Sequence, residues 1–179
     1  MTQAGMVRSI RPEEHAELGE LAVRVYRQVL ASDLETYAEV LRDAEGRLAT
    51  GCEVLVAHDD GRVVGGVTYV PGPGPYAQLV DDDEAEIRML VVDPASQGRG
   101  IGTALVQACI VRGEAAGKRS LVLGTMPVMV AAQQLYLRLG FVRRPERDSH
   151  IPGGAPLWCY SLPLDRATTN SRVGTRSPT

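Results

Sequence analysis

Three glycines within five residues, Gly98, Gly100 and Gly102, sit between two segments of opposite character. Before them, Ile87 to Val92 is a short apolar run closed by Asp93-Pro94, which reads as a strand. After them, Ala104 to Ala116 reads as a helix. The glycines therefore occupy a strand-to-helix turn, where a backbone without Cβ atoms lets a ligand approach closely. The first N–H groups of a helix lack internal partners, and the helix dipole adds partial positive charge. Such a turn is suited to a phosphate or pyrophosphate.

The spacing narrows the ligand. A Walker loop needs a lysine after its last glycine, and Gly102 is followed by Thr103-Ala104. A dinucleotide fingerprint, G-x-G-x-x-G, fails because its third glycine falls on Thr103. What remains is Q-x-x-G-x-G, made by Gln97, Gly100 and Gly102, inside the string Leu-Val-Val-Asp-Pro-x-x-Gln-Gly-x-Gly-Ile-Gly-x-Ala-Leu from Leu90 to Leu105. This string resembles the acetyl-CoA signature of the GNAT superfamily of N-acetyltransferases. The alternative is a glycine-rich turn of purely structural use.

The resemblance implies roles for particular residues. Backbone N–H groups of Gln97, Gly98, Arg99, Gly100, Ile101, Gly102 and Thr103 would hold the pyrophosphate. Backbone groups of Leu90, Val91 and Val92 would run along the pantetheine arm, with an amide there as oxyanion donor. The Arg99 guanidinium would either approach phosphate or stay solvated. Leu135-Tyr136-Leu137-Arg138-Leu139-Gly140-Phe141 resembles the family's L-Y-x-x-L-G-F element, which implies Tyr136 as general acid toward the cofactor sulfur. Glu86 would deprotonate the amine through water, with His150 as an alternative base. Many relatives carry an asparagine seven residues before that tyrosine, and here the position is Met129, which has no amide. The implied activity is direct acetyl transfer from acetyl-CoA to an amine, either a small molecule or a protein N-terminus or lysine. An acyl-CoA-binding module without turnover is the alternative. A homodimer is a frequent state in the superfamily.

These residues need elements to carry them. Met6 to Arg11 alternates as a first strand, and Pro12 fits the first position of a helix bearing Leu18, Leu21, Ala22, Val25 and Val29 at helical spacing. Ser32 or Asp33 can cap a second helix, which fades between Asp43 and Gly51. Glu53 to His58 and Arg62 to Val70 flank the hairpin signal Asp59-Asp60-Gly61, and Gly65-Gly66 predicts a bulge or close packing. Asp81 to Glu84 reads as a solvated acidic loop, or as an acidic lip attracting a cationic amine. Strands at Ser120 to Gly124, Phe141 to Arg144 and Leu157 to Leu162, a helix from Val128 to Leu139, and an irregular loop from Pro145 to Pro156 complete the order β-α-α-β-β-β-α-β-α-β-β. Hairpins combined with βαβ units predict an α+β (α/β) fold with a mixed sheet, which matches the GNAT fold. Residues 1–164 form one expected domain, and the polar stretch 165–179 an expected disordered tail.

Composition excludes several classes. A net charge of −3 argues against a general nucleic-acid binder. The three cysteines and three histidines show no ligand spacing, so no metal site is expected. No long apolar span or leader is visible, which predicts a cytoplasmic protein without membrane attachment.

Overall fold

The computed structural model describes residues 7–30, 34–151 and 154–165. In chain order the elements are β1 (Arg8–Ser9), α1 (His15–Tyr26), α2 (Leu34–Arg42), α3 (Ala44–Ala49), β2 (Glu53–Asp59), β3 (Arg62–Val70), β4 (Glu84–Val92), α4 (Ile101–Ala115), β5 (Ser120–Thr125), α5 (Val130–Arg138), β6 (Val142–Arg143), β7 (Ser149–His150) and β8 (Pro156–Pro163). The sheet runs β1-β2-β3-β4-β5-β8-β6, with β7 also on β8. Every pairing is antiparallel except β4–β5, the pair bridged by α4. The mixed sheet agrees with the expected fold class.

Four details depart from the sequence expectation. Pro12 opens a single 3₁₀ turn, Pro12–Glu14, before α1 begins. The second helix stops at Arg42 because Asp43 caps a separate helix, accepting from the Gly46 N–H at 2.8 Å. The stretch expected as one irregular loop from Pro145 contains a 3₁₀ turn (Pro145–Arg147) and β7. Glu84 is not part of a solvated loop: it starts β4, is 1% exposed, and is held by Ser120 Oγ at 2.8 Å and Arg147 Nη2 at 2.7 Å. The proposed caps Ser32 and Asp33, and the tail beyond Asp165, lie outside the described residues.

Alternation along the strands puts a core on each side of the sheet. Leu55, Ala57, Ile87, Leu121 and Leu123 pack with Leu105 and Cys109 of α4. Val54, Val56, Met89 and Val91 pack with Leu18, Leu21 and Ala22 of α1 and with Leu41 of α2. Two glycines of β3 allow this close approach on opposite faces. A Cβ on Gly65 would sit 2.9 Å from Ile101 Cγ2, and one on Gly66 would clash with Leu18 Cδ1.

The feature that matters most for function is an irregularity in β4. Gly66 pairs with Val91 and Thr68 with Arg88, so two residues of β4, Met89 and Leu90, stand opposite Val67 alone. This is a β-bulge. Met89 takes φ = +54°, a conformation that costs a non-glycine residue about 1 kcal/mol or more. The bulge reverses the alternation of the strand, because one extra residue moves each later side chain to the other face. Ile87 belongs to the core under α4, whereas Met89 and Val91 belong to the core under α1. Leu90 and Val92 then pack toward the α4 side.

Candidate active site

The β4–β5 ladder ends at Ile87↔Leu123, so the backbone from Arg88 to Val92 has no partner on β5. The strands part there, and a cleft of about 480 Å³ opens between β4 and α5. Leu90, Val91 and Val92 form one wall; Val128 to Ala132, Leu135 and Arg138 form the other. Ser96, Gln97, Gly98, Gly100, Ile101, Gly102 and Thr103 line one end.

That end is shaped for an anion. Asp93 caps the 3₁₀ turn Pro94–Ser96 by accepting from Ala95 N–H at 3.0 Å, and Arg24 of α1 pins the same carboxylate at 2.9 Å. Gly98 (φ = +75°) and Gly100 (φ = +79°) then swing the chain into α4. Among the described residues, the N–H groups from Gly98 to Thr103 have no hydrogen-bond acceptor within the protein. Six successive donors at a helix start can therefore serve a pyrophosphate.

Side chains around the turn divide in an unexpected way. Arg99 does not line the cleft; its Nη1 is bound by Asp59 of the β2–β3 hairpin at 2.5 Å. Arg138, in the last turn of α5, does line the cleft, although sequence reading assigned it no role.

A second cavity of about 40 Å³ lies on the α1 side of β4. Glu86, Arg88 and Met89 line it, joined by Tyr26, Tyr37, Thr125, Met126 and Ile151. Met129 lines both cavities, so the two meet beside it and beside the bulge. Glu86 is 1% exposed and is the third residue of β4. Its Oε2 accepts from Gln78 N–H at 2.8 Å and Leu79 N–H at 3.2 Å. Burial pushes its carboxyl pKa above the usual range, and this outweighs the two amide donors and the Arg88 guanidinium, which favour the anion.

Tyr136 is buried between Phe141 and Tyr160, with ring centroids 5.8 and 6.3 Å away, and its side chain lines neither cavity. Burial raises its phenol pKa, which holds the hydroxyl in its protonated form. Burial likewise raises the phenol pKa of Tyr26, which lines the smaller cavity. His150 sits exposed in β7, paired with Pro156, and lines neither cavity. Two polar residues that sequence reading missed, Arg88 and Thr125, line the smaller cavity. The signal for Arg88 was present: two residues past Glu86 on a strand means the same face. Thr125 gave no such signal. Among the described residues no cluster of His, Cys, Asp and Glu could hold a metal, and no helix is long and apolar enough to cross a membrane.

A cleft at parted parallel strands, with a helix start suited to an anion at one end and a second small pocket beside it, is the arrangement needed to bring a phosphate-bearing ligand to another molecule. The sequence matches the model of the acetyltransferase (GNAT) family over residues 17–141. The chain belongs to that family. It is 31% identical over 116 residues to a mycothiol acetyltransferase from Cellulomonas flavigena, a match covering 64% of this chain and 33% of that protein. The match thus spans about a third of the relative's length. Among solved structures, a GNAT-family acetyltransferase from Staphylococcus aureus Mu50 superposes with a TM-score of 0.73 at 19% identity, covering 90% of this chain and 100% of that one. A GNAT-family acetyltransferase from Brucella melitensis in complex with acetyl-CoA gives a TM-score of 0.61 at 25% identity, covering 92% and 90%.

Proposed function

We propose that the protein is an N-acetyltransferase that moves the acetyl group of acetyl-CoA directly to an amine held in the smaller pocket. The observation that carries this reading is the junction of the two cavities at Met129 and the β4 bulge. The Brucella relative, solved with acetyl-CoA, supports assigning the larger cleft to that donor. The N–H groups from Gly98 to Thr103 would bind the pyrophosphate, and the unpaired edge of Leu90 to Val92 the pantetheine arm. Arg138 is the side chain best placed to add positive charge, a role that Asp59 denies to Arg99.

The amine enters as an ammonium and must lose a proton. Glu86, with its raised pKa and its place in the pocket wall, is the base, directly or through a water. As the amine nitrogen bonds to the acetyl carbon, charge builds on the carbonyl oxygen, and an amide of the Leu90–Val92 edge stabilises it. The C–S bond breaks, the nitrogen gives up its second proton to become the amide, and the departing thiolate takes a proton up. Tyr136 remains our choice of acid, with its hydroxyl kept protonated by burial. Reaching the sulfur requires a shift of α5 or a bridging water, since the side chain lines neither cavity. Three free cysteines, all buried, fit a reducing cytoplasm.

Release of CoA thiol from acetyl-CoA across a panel of small amines tests the proposal. Amine-dependent release is expected. Tight acetyl-CoA binding with no release for any amine would favour a silent binding module, the reading to which the position of Tyr136 and the Met129 side chain give support.

A further inference from the structure

The smaller pocket carries more chemistry than removal of a proton from an amine requires. Glu86 and Arg88 are both on its wall, two residues apart on one strand and so about 6.6 Å apart along it. They form no ion pair with each other. Arg88 donates through Nη1 to the Tyr76 carbonyl at 2.6 Å and has no carboxylate partner among the described residues. Behind it, Arg47 is 2% exposed, held by the carbonyl of Val40 at 2.9 Å and Met89 Sδ at 2.9 Å, with Nε lacking any partner. The guanidinium groups of Arg47 and Arg88 feel each other's charge. The Arg88 end of the pocket is therefore electropositive, and the Glu86 end holds a carboxyl group.

A second observation comes from β5, the strand next to β4 in the sheet. Thr125 is 3% exposed and lines this pocket, and its Oγ1 has no hydrogen-bond partner. A buried hydroxyl without a partner is uncommon and costly, unless a ligand supplies one.

We infer that the acceptor is an amine bearing a carboxylate one or two carbons away, an amino acid, with its ammonium at Glu86 and its carboxylate at Arg88 and Thr125. The inference rests on the acetyltransferase reading and names the substrate class of the same site. The span fits: an ammonium and a carboxylate separated by one or two carbons, each with a hydrogen bond of about 3 Å to its partner, bridge side chains set two residues apart on a strand. The volume fits as well, because about 40 Å³ has room for only a few waters and admits a compact polar head. A protein N-terminus offers the ammonium but has an amide where the carboxylate should be, which would leave Arg88 without its counter-charge.

The test is a thiol-release assay with L-amino acids, their α-carboxamides and the amines that lack the carboxylate, run beside acetyl-CoA titrations. Amino acids are expected to exceed their carboxamides in kcat/KM by about 10-fold or more, as expected for a charge-assisted contact. Arg88→Gln should raise KM for the amino acid by about 10-fold, with kcat and acetyl-CoA affinity changed far less, and Arg88→Lys should restore part of the loss. Thr125→Val, which keeps the shape of the side chain, should raise the same KM several-fold. Equal turnover of acids and carboxamides, or an unchanged KM in both Arg88→Gln and Thr125→Val, overturns carboxylate recognition while acetyl transfer stands. No turnover with any amine, while acetyl-CoA still binds, overturns the acetyltransferase reading and this inference with it.

Discussion

The two cavities that meet at Met129 are built by opposite means. The larger, which we propose for acetyl-CoA, presents main chain: the N–H groups after Gln97 and the β4 edge left open where β5 departs. The smaller uses side chains, Glu86, Arg88 and Thr125, drawn from two strands, with the Gln78–Leu79 amides fixing the carboxyl group. The bulge at Met89 divides them, because reversing the alternation sends Leu90 and Val92 to one side and keeps Glu86, Arg88 and Met89 on the other. A site made of backbone is tied to glycine positions and turn geometry. A site made of side chains can change substrate by a single substitution while the fold stays intact.

The sharpest break between the two regions is expected from Glu86→Gln. It should lower kcat by about 100-fold or more while leaving acetyl-CoA affinity unchanged, as stopped assays and calorimetry would read. A similar loss in acetyl-CoA affinity would mean that the two regions are not separable. Tyr136→Phe comes next, with kcat lower by about 10- to 100-fold and a fold stable by melting curve, since only a hydroxyl is removed. Gly100→Val acts on the other region. A β-branched residue at φ = +79° strains the turn and crowds the pyrophosphate position, so acetyl-CoA affinity should fall by about 10-fold or more, with KM for the amine little changed. The smallest effect is expected from Arg99→Ala. Its guanidinium is engaged by Asp59, so acetyl-CoA affinity should change by less than about twofold, whereas Arg138→Ala should exceed that.

A pH profile sharpens the comparison further. Because the Glu86 pKa is raised, activity should fall as pH drops through that raised value, and the acidic limb should lie above the ordinary carboxyl range and vanish in Glu86→Gln. Stability should move the other way. A carboxyl group that binds its proton more tightly in the folded state contributes stability at low pH, and this is lost as pH rises through the folded pKa. Glu86→Gln should therefore melt at a higher temperature than the parent at neutral pH, and the difference should shrink on acidification. A lower melting temperature at neutral pH would show that the ionised carboxyl is a structural necessity and not a stored cost.

How much of this was legible follows from the same contrast. The glycine turn could be read because its chemistry lies in spacing, and the structure has the strand, the turn and the helix in that order around Gly98 to Gly102. The hairpin at Asp60-Gly61 could be read because both residues adopt positive φ, which the sequence pair favours. The close packing at Gly65-Gly66 was visible for a different reason, since paired glycines inside a strand leave room for neighbours to approach. The bulge at Met89 could not be read, since nothing local favours positive φ in a methionine; it is imposed by pairing with β3. Glu84 read as solvated because three aspartates precede it, and only the fold brings Arg147 and Ser120 to its carboxyl group. The motif left Arg99 either near phosphate or in solvent, and neither reading foresaw that the β2–β3 hairpin, distant in sequence, sets Asp59 beside it. Thr125 gains meaning only from the pocket that β4, β5 and α1 enclose.

The central claim, that the main-chain cleft binds acetyl-CoA, is tested most directly by thermal melting with acetyl-CoA, CoA and NAD side by side, on the parent and on Gly100→Val. A ligand at 100 times its Kd stabilises by about 2.7 kcal/mol, which a melting curve registers. The predicted result is a clear rise with acetyl-CoA and CoA, none with NAD, and a reduced rise in Gly100→Val. No rise with acetyl-CoA at millimolar concentration, or an equal rise in Gly100→Val, would contradict it.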